Sequence, residues 1–466
     1  MSMASKVPSS GALPVNPPQT NAPPVKKLRT LQLAAIVFLT VSGGPYGLEP
    51  LFSYVGDNGA MFLLILTPLV WDIPTILTVL ELNSMMPVTG GYYQWVKQAL
   101  GLRWAFCEGW WTWLYTFIDL AIYPVLFVTY AAYFFPAIAA YKIPVCLLVI
   151  WSSALLNIIG IVPVGKTSLV LGAVVLITFG LLFYFVLTGH GAAHSFPMPS
   201  LKDRSYGAIS MGLYTVMWNF IGWDNVTTYA GEVSRPVRSY LVSVSMAFLL
   251  IVGLYIGAAL AVHRSGIDPG LLSEGGFPAL GLLSAGRWLA VVLAAGGMAS
   301  TMGLYSAVLL SVSRVPQVMA EDRLLPKSLC ALHSRFNTPW VSILVSSAIV
   351  SILVFWTFSD LVIMDITLYG AGLSLEFIAL MVLRKKWPRR ERPFRIPLNR
   401  AGLFLLYLLP LGVYIVAISG AVYASDSYSK PALTAVAMLL SAAIVWRLIR
   451  WKTPENPAAG DFTGRV

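Results

Sequence analysis

Charged residues are scarce in this chain. They make up 11% of its 466 residues, whereas soluble domains carry about 25%. That shortage excludes an ordinary water-facing globule, which needs charge over most of its surface. Cysteine is nearly absent: Cys107, Cys146 and Cys330 are odd in number and scattered. Without a C-x-x-C pair or any metal-ligand spacing, a disulfide framework and a zinc site are excluded. Histidine occurs only at positions 190, 194, 263 and 333, far apart in predicted loops. With no nucleophile–base pair or metal set, the chain does not read as an enzyme. Lys and Arg are also missing from the interior of every long apolar run.

Hydrophobic residues fill the space left by charge. They reach 57%, and the mean hydropathy is +0.75. Apolar runs of about 20 residues recur, the length a helix needs to cross a bilayer. The pattern predicts an all-α polytopic membrane protein of 12 spans, at about 31–55, 60–83, 104–135, 143–161, 167–188 and 206–231, then about 240–262, 287–313, 340–357, 360–383, 402–424 and 431–449. Residues 1–27, rich in Pro, Ser and Ala early on, read as a disordered cytoplasmic tail and not as a cleaved signal peptide. Residues 28–400 form the core, 401–450 hold two further spans, and 451–466 are a second cytoplasmic tail.

The basic residues orient these spans. With the N-terminus inside, the cytoplasmic loops collect most Lys and Arg. The 384–400 loop alone holds Arg384, Lys385, Lys386, Arg389, Arg390, Arg392, Arg395 and Arg400. Only Lys142, Lys202, Arg204, Arg264, Arg287 and Lys430 fall outside. The bias predicts both termini in the cytoplasm of a plasma or inner membrane. The net charge of +11 then reflects topology and anionic lipid at that face, not nucleic acid.

Two spans are broken in their middles. "LTVSGGPYGLEPLF" (39–52) places Gly43, Gly44, Pro45, Gly47 and Pro50 inside span 1, with Tyr46 and Glu49 beside the break. "MWNFIGWDNVTTYAGE" (217–232) places Asn219, Gly222, Asp224 and Asn225 inside span 6, flanked by Trp218 and Trp223. Broken backbone is not tolerated against lipid, so it lines protein or a water-filled cavity. If residues 31–188 and 206–383 are inverted halves, spans 1 and 6 correspond. Matched interruptions of this kind mark a transporter's binding site.

Acids lie within the spans where bases do not: Glu49, Asp72, Asp119, Asp224, Asp365 and Glu376, with Glu108 about one turn inside span 3. A bare carboxylate in a bilayer is costly. The countercharge must be a proton, a metal cation or a cationic substrate. Glu49 and Asp224 are the first candidates for substrate amines. Asp119 and Tyr123 share a face of span 3, and Glu376 lies near Tyr369 in span 10. Glu49, Asp119, Asp224 and Glu376 are also the proton-coupling candidates. Tyr46, Tyr123, Trp218 and Trp223 offer ring faces to ammonium groups. The amides of Gly43, Gly44 and Gly47 suit a carboxylate instead, as an amino acid substrate would bring. Ser300 and Thr301 would join span 1 carbonyls in any sodium site, although hydroxyls are ordinary packing partners in membrane helices. Two motifs are decoys. "GIVPVGKT" (160–167) fits a phosphate-loop pattern but sits in the turn between spans 4 and 5. The Asn225-Val-Thr227 sequon lies within span 6, beyond the reach of glycosylation.

Several stretches resemble the amino acid–polyamine–organocation transporters. "ELNSMMPVTGGYYQWV" (81–96) looks like that family's signature after span 2, and "AGEVSRPVRSYL" (230–241) like the one after span 6. "SRVPQVMAEDRLLPKSL" (313–329) with "NTPW" (337–340) is similar to its loop between spans 8 and 9. "VSGGPYGLE" (41–49), "IDLAIYPVLF" (118–127), "GWDNVTTYAGEV" (222–233), "LYGAGLSLEFIALMVLR" (368–384) and "RPFRIPL" (392–398) are most like the plant-type polyamine uptake members and their bacterial relatives. Gly222, Asp72 and Pro50 depart from that pattern. The resemblance covers about residues 28–425 and implies a LeuT-type fold, five-plus-five inverted repeats and two more helices. It also implies proton-coupled import of polyamines by alternating access, or, as the alternative, a permease or exchanger of neutral or cationic amino acids. The expected partners are a small cationic substrate and the bilayer, with no cofactor beyond the coupled proton, no metal and no obligatory protein.

Overall fold

The computed structural model describes residues 27–188, 196–272, 274–424 and 426–452. Most of both expected tails, with His190 and His194, lies outside them. The described residues are almost entirely helical. No strand occurs among them, only two isolated bridges, Leu28 with Val233 and Thr89 with Tyr229. Nine of their helical segments are long and apolar enough to cross a membrane.

The first half of the chain begins with α1 (Thr30–Val41) and α2 (Glu49–Thr67), separated by the irregular Ser42–Leu48. Gly56 sits within α2 with φ 69° and ψ 177°, where the chain changes direction. At φ near +69° a Cβ is strained, and one there would also lie 2.5 Å from the Arg204 guanidinium. A π-helical turn, Pro68–Asp72, then leads into α3 (Ile73–Met85). Such turns are frequent at functional sites, and this one ends on a buried acid. The amphipathic α4 (Gly91–Leu100) precedes the long α5 (Leu102–Ala131). Next come α6 (Lys142–Ile159) and α7 (Ile161–Thr188), divided only by Gly160 at φ 127°. The "GIVPVGKT" segment was expected in a turn, but all of it after Gly160 is the start of α7. Pro163 fits there because the first turn of a helix has no intrahelical partner for its amide.

The second half begins with α8 (Tyr206–Trp218), which ends at the second irregular segment and continues as short 3-10 turns to Glu232. After it come α9 (Pro236–Ser265), α10 (Phe277–Ala285), α11 (Arg287–Val312) and α12 (Arg314–Glu321). The chain ends through α13 (Trp340–Leu353), α14 (Phe358–Lys386), α15 (Arg400–Ala424) and α16 (Asp426–Lys452).

Burial orders these helices from centre to edge. In α5, 83% of the most apolar window is buried, and in α14 72%, against 17% in α15 and α16. α5 packs on both α14 and α11, and α11 on α7. Exposed Leu155, Ile177, Leu249, Leu405 and Ile444 lie on the outer helices. Apolar side chains facing outward suit lipid, while the backbone polar groups stay paired inside the helices.

Ion pairs concentrate at the end where the 384–400 loop lies. Arg384 forks onto Glu81, donating from Nε at 2.7 Å and also from a terminal nitrogen. Arg314 Nε donates to Glu232 at 3.0 Å, and Lys97 Nζ to Asp322 at 2.6 Å. The Tyr93 hydroxyl donates to the same Asp322 carboxylate at 2.6 Å. Burial first, and then the Asp322 charge, raise the Tyr93 hydroxyl well above its ordinary range, so it remains a donor. Glu81, Glu232 and Asp322 each belong to one of the signature stretches quoted above. The signatures therefore build a brace across the helix ends.

Candidate functional site

The two irregular segments lie against each other. The Tyr255 hydroxyl on α9 is 2.7 Å from Ser42 Oγ in the first and 2.8 Å from the Asn219 carbonyl in the second. Asn219 Nδ2 donates to the Gly47 carbonyl at 3.3 Å. A Cβ on Gly222 would stand 3.1 Å from the Thr40 carbonyl oxygen. The matched interruptions legible in the sequence thus form one buried locus.

The first segment holds its own amides. Gly43 N donates to the Phe38 carbonyl at 2.9 Å and Gly44 N to Ser42 Oγ at 3.0 Å. Gly47 N donates to Glu49 Oε2 at 2.6 Å, and the Tyr130 hydroxyl takes the other Glu49 oxygen at 2.7 Å. Glu49 is thereby anchored at the start of α2. Tyr46 packs edge-on to Tyr130, Phe179 and Phe277, and its hydroxyl donates to the Leu293 carbonyl at 2.8 Å. Ser300 Oγ donates to the Gly43 carbonyl at 2.6 Å, but Thr301 Oγ1 donates to Gly297 of its own helix. Only the first of these two hydroxyls reaches span 1.

Gly47 is a point of close approach. Its φ is +88°, and a Cβ would lie 2.6 Å from the Trp218 ring. Gly47→Ala is expected to lower stability by about 1–3 kcal/mol, the usual cost of a residue held in such a conformation. Thermal unfolding in detergent checks this. An unchanged Tm would mean that the segment relaxes freely.

A second group of acids surrounds the break in span 6. Tyr123 OH and Trp218 Nε1 both donate to Asp119 Oδ1, at 2.6 and 3.1 Å. Asp365 on α14 lies within electrostatic reach of Asp119. Asp224 accepts from the Tyr369 hydroxyl at 2.8 Å. Glu108 and Glu376 lie within electrostatic reach of Asp224. Trp223 points elsewhere: its Nε1 donates to Asp72 Oδ1 at 2.9 Å, tying the π-helical turn to the break. Among the described residues, no Lys, Arg or His forms an ion pair with Glu49, Asp72, Glu108, Asp119, Asp224, Asp365 or Glu376. Both oxygens of Asp365, and one each of Glu108 and Asp72, have no hydrogen-bond partner, and Glu376 faces the Asp224 carboxyl.

The expected site residues therefore fall into two neighbouring groups. Tyr46 and Glu49 go with the aromatic cluster. Asp119, Tyr123, Trp218, Asn219, Asp224 and Glu376 go with the acidic seam, where Gly47 touches it through Trp218 and Asn219. Glu108, Asp365, Tyr115 and Tyr369 add to the seam. Tyr115 donates to Asn225 Oδ1 at 2.8 Å, and its ring meets Tyr369 at 5.3 Å. Chemically, the locus is a buried cluster of carboxyl groups with aromatic neighbours, a donor set suited to organic cations.

Comparison with known proteins agrees in kind. The family model described as "Amino acid permease" matches residues 28–446. The chain is 33% identical to Polyamine transporter RMV1 of Arabidopsis thaliana over 409 residues, covering 85% of this chain and 81% of that protein. It is also 33% identical to Polyamine transporter PUT1 of Oryza sativa subsp. japonica, covering 84% and 74% respectively. A more distant relative is the Serine/threonine exchanger SteT of Bacillus subtilis (strain 168), 23% identical over 402 residues, or 80% of this chain and 86% of that one.

Proposed function

Because this chain belongs to the amino acid permease family, within the amino acid–polyamine–organocation superfamily, we propose that it is a secondary transporter importing polyamines, cations of the putrescine and spermidine kind, in symport with protons. The observation that carries the reading is the buried acidic seam at the span 6 break, which lacks basic partners among the described residues. A cationic cargo supplies the missing charge. Asp119, Asp224 and Glu376 bind its amines, with Trp218 and Tyr123 as aromatic neighbours. In symport the proton travels with the cargo, so it is held by a carboxyl group that the bound amines leave free, with Glu49 at the first break as the candidate.

The first break supports a polyamine over an amino acid. An amino acid's carboxylate needs free amides at a half-helix N-terminus. In this chain the Glu49 carboxylate already occupies the Gly47 amide, and the amides of Gly43 and Gly44 are engaged. The exchanger relative keeps an amino acid carrier as the alternative. We read the architecture as 12 transmembrane helices, two inverted five-helix repeats (31–188 and 206–383) and two added helices, with both termini cytoplasmic. Alternating access is rocking about the two breaks.

The test is uptake of labelled putrescine into vesicles carrying the purified protein, with unlabelled competitors. Spermidine and agmatine are expected to compete, and leucine is not. Competition by leucine without spermidine transfers the assignment to amino acids. Collapse of the proton gradient is expected to abolish accumulation, whereas dependence on sodium refutes the proton.

A further inference from the structure

α5 and α14 carry the same string of side chains in opposite directions. Read backwards, α5 presents Asp119, Tyr115, Thr112 and Glu108; read forwards, α14 presents Asp365, Tyr369, Gly372 and Glu376. In both, the intervals are four, three and four residues. Eleven residues close about three helical turns, so each string returns to one face of its helix.

The helices pair these strings level by level. Asp119 and Asp365 feel each other's charge at one end. The Tyr115 and Tyr369 rings meet edge to face at 5.3 Å in the middle. A Cβ on Gly372 would lie 3.1 Å from Glu108 Oε1, and Glu108 and Glu376 act on each other at the far end. All four acids are at most 2% exposed. Both oxygens of Asp365 and one of Glu108 lack partners, and Glu376 faces the Asp224 carboxyl. The hydroxyl of Tyr92 is buried within electrostatic reach of Glu108, Glu376 and Asp224. The seam therefore has two acidic stations joined by an aromatic waist. The helical rise places them about 16 Å apart.

We propose that this seam gauges the length of a linear polyamine. One terminal ammonium sits between Asp119 and Asp365. The other sits among Glu108, Glu376 and Asp224, and the methylene chain passes Tyr115 and Tyr369. The proposal rests on the polyamine reading above and assigns roles to Glu108 and Asp365. An extended chain advances about 3.5 Å for every three bonds. By that measure a tetraamine with thirteen bonds between its end nitrogens reaches about 15 Å and spans both stations, while a diamine with five bonds reaches about 6 Å and fills only one.

Equilibrium binding of labelled spermine and labelled putrescine to the purified full-length protein tests this. The wild type is expected to bind spermine at least about tenfold more tightly, because each further buried charge pair adds that much or more. Asp365→Asn and Glu108→Gln, at opposite ends, are each expected to reduce the spermine-to-putrescine preference about fivefold or more. Asp365→Glu keeps the charge and is expected to retain it. Equal wild-type affinities, or a preference unmoved by both neutral variants at native Tm, overturn the gauge while leaving a polyamine site. Failure of the wild type to bind either amine overturns the polyamine reading itself, and the gauge with it.

Discussion

Asp224→Asn is expected to reduce polyamine uptake about a hundredfold, because losing one partner of a buried charge pair costs about 2–5 kcal/mol. Asn has nearly the shape of Asp and still accepts the Tyr369 hydroxyl bond that Asp224 takes at 2.8 Å. The fold is therefore preserved, and the change is confined to charge. Asp224 is buried at 3% exposure and within electrostatic reach of Glu108 and Glu376. Removing its charge weakens the station it shares with Glu108 and Glu376 as a whole. Initial rates at subsaturating substrate in vesicles measure the effect. Rates within twofold of the wild type would remove Asp224 from the site.

Arg384→Ala is expected to destabilise the protein by about 2–4 kcal/mol, the cost of removing the nearer of two cations from a buried carboxylate, with Arg392 remaining at 3.5 Å. The weakened partner is Glu81, which is fully buried and keeps the Ile396 amide at 2.9 Å and Arg392 Nε at 3.5 Å. Arg384 further donates to the carbonyls of Leu398 and Ile396, at 2.5 and 2.8 Å. One side chain thus fastens α3 and the segment before α15 to α14. Thermal unfolding in detergent checks the prediction. Arg384→Ala combined with Glu81→Leu is expected to recover part of the loss, because the buried carboxylate goes with its cation while Arg392 keeps its bonds to the Leu383 and Trp387 carbonyls. No recovery would place the damage in the lost carbonyl bonds.

Much of this was legible in the sequence. Glycine, proline and polar residues in the middle of an apolar run announce a broken helix, and that signal located both Ser42–Leu48 and Asn219–Asp224. The absence of bases beside intramembrane acids was equally plain. Contact between distant helices was less visible. Asp365 and Glu108 look like isolated acids until α5 and α14 are laid antiparallel. Their matching four-three-four intervals were present in the sequence, but only the pairing of helices some 250 residues apart gives them meaning. Trp223 illustrates the same limit. Its neighbour in sequence faces the acidic seam, while its own indole turns to Asp72, because adjacent residues at a break leave in different directions. The start of α7 was misplaced for a local reason: Gly and Pro read as a turn, yet Pro suits a helix's first turn.

Tyr255 has one hydrogen on its hydroxyl and two acceptors within 2.8 Å, Ser42 Oγ and the Asn219 carbonyl. It donates to only one at a time. When the hydrogen points to Asn219, the Ser42 hydroxyl must turn and donate back to the tyrosine oxygen. It then no longer faces the Gly44 carbonyl 3.4 Å away. The two halves of the molecule thus share a single binary setting, written in the orientation of two O–H bonds. Tyr255→Phe erases that setting and leaves the ring in place.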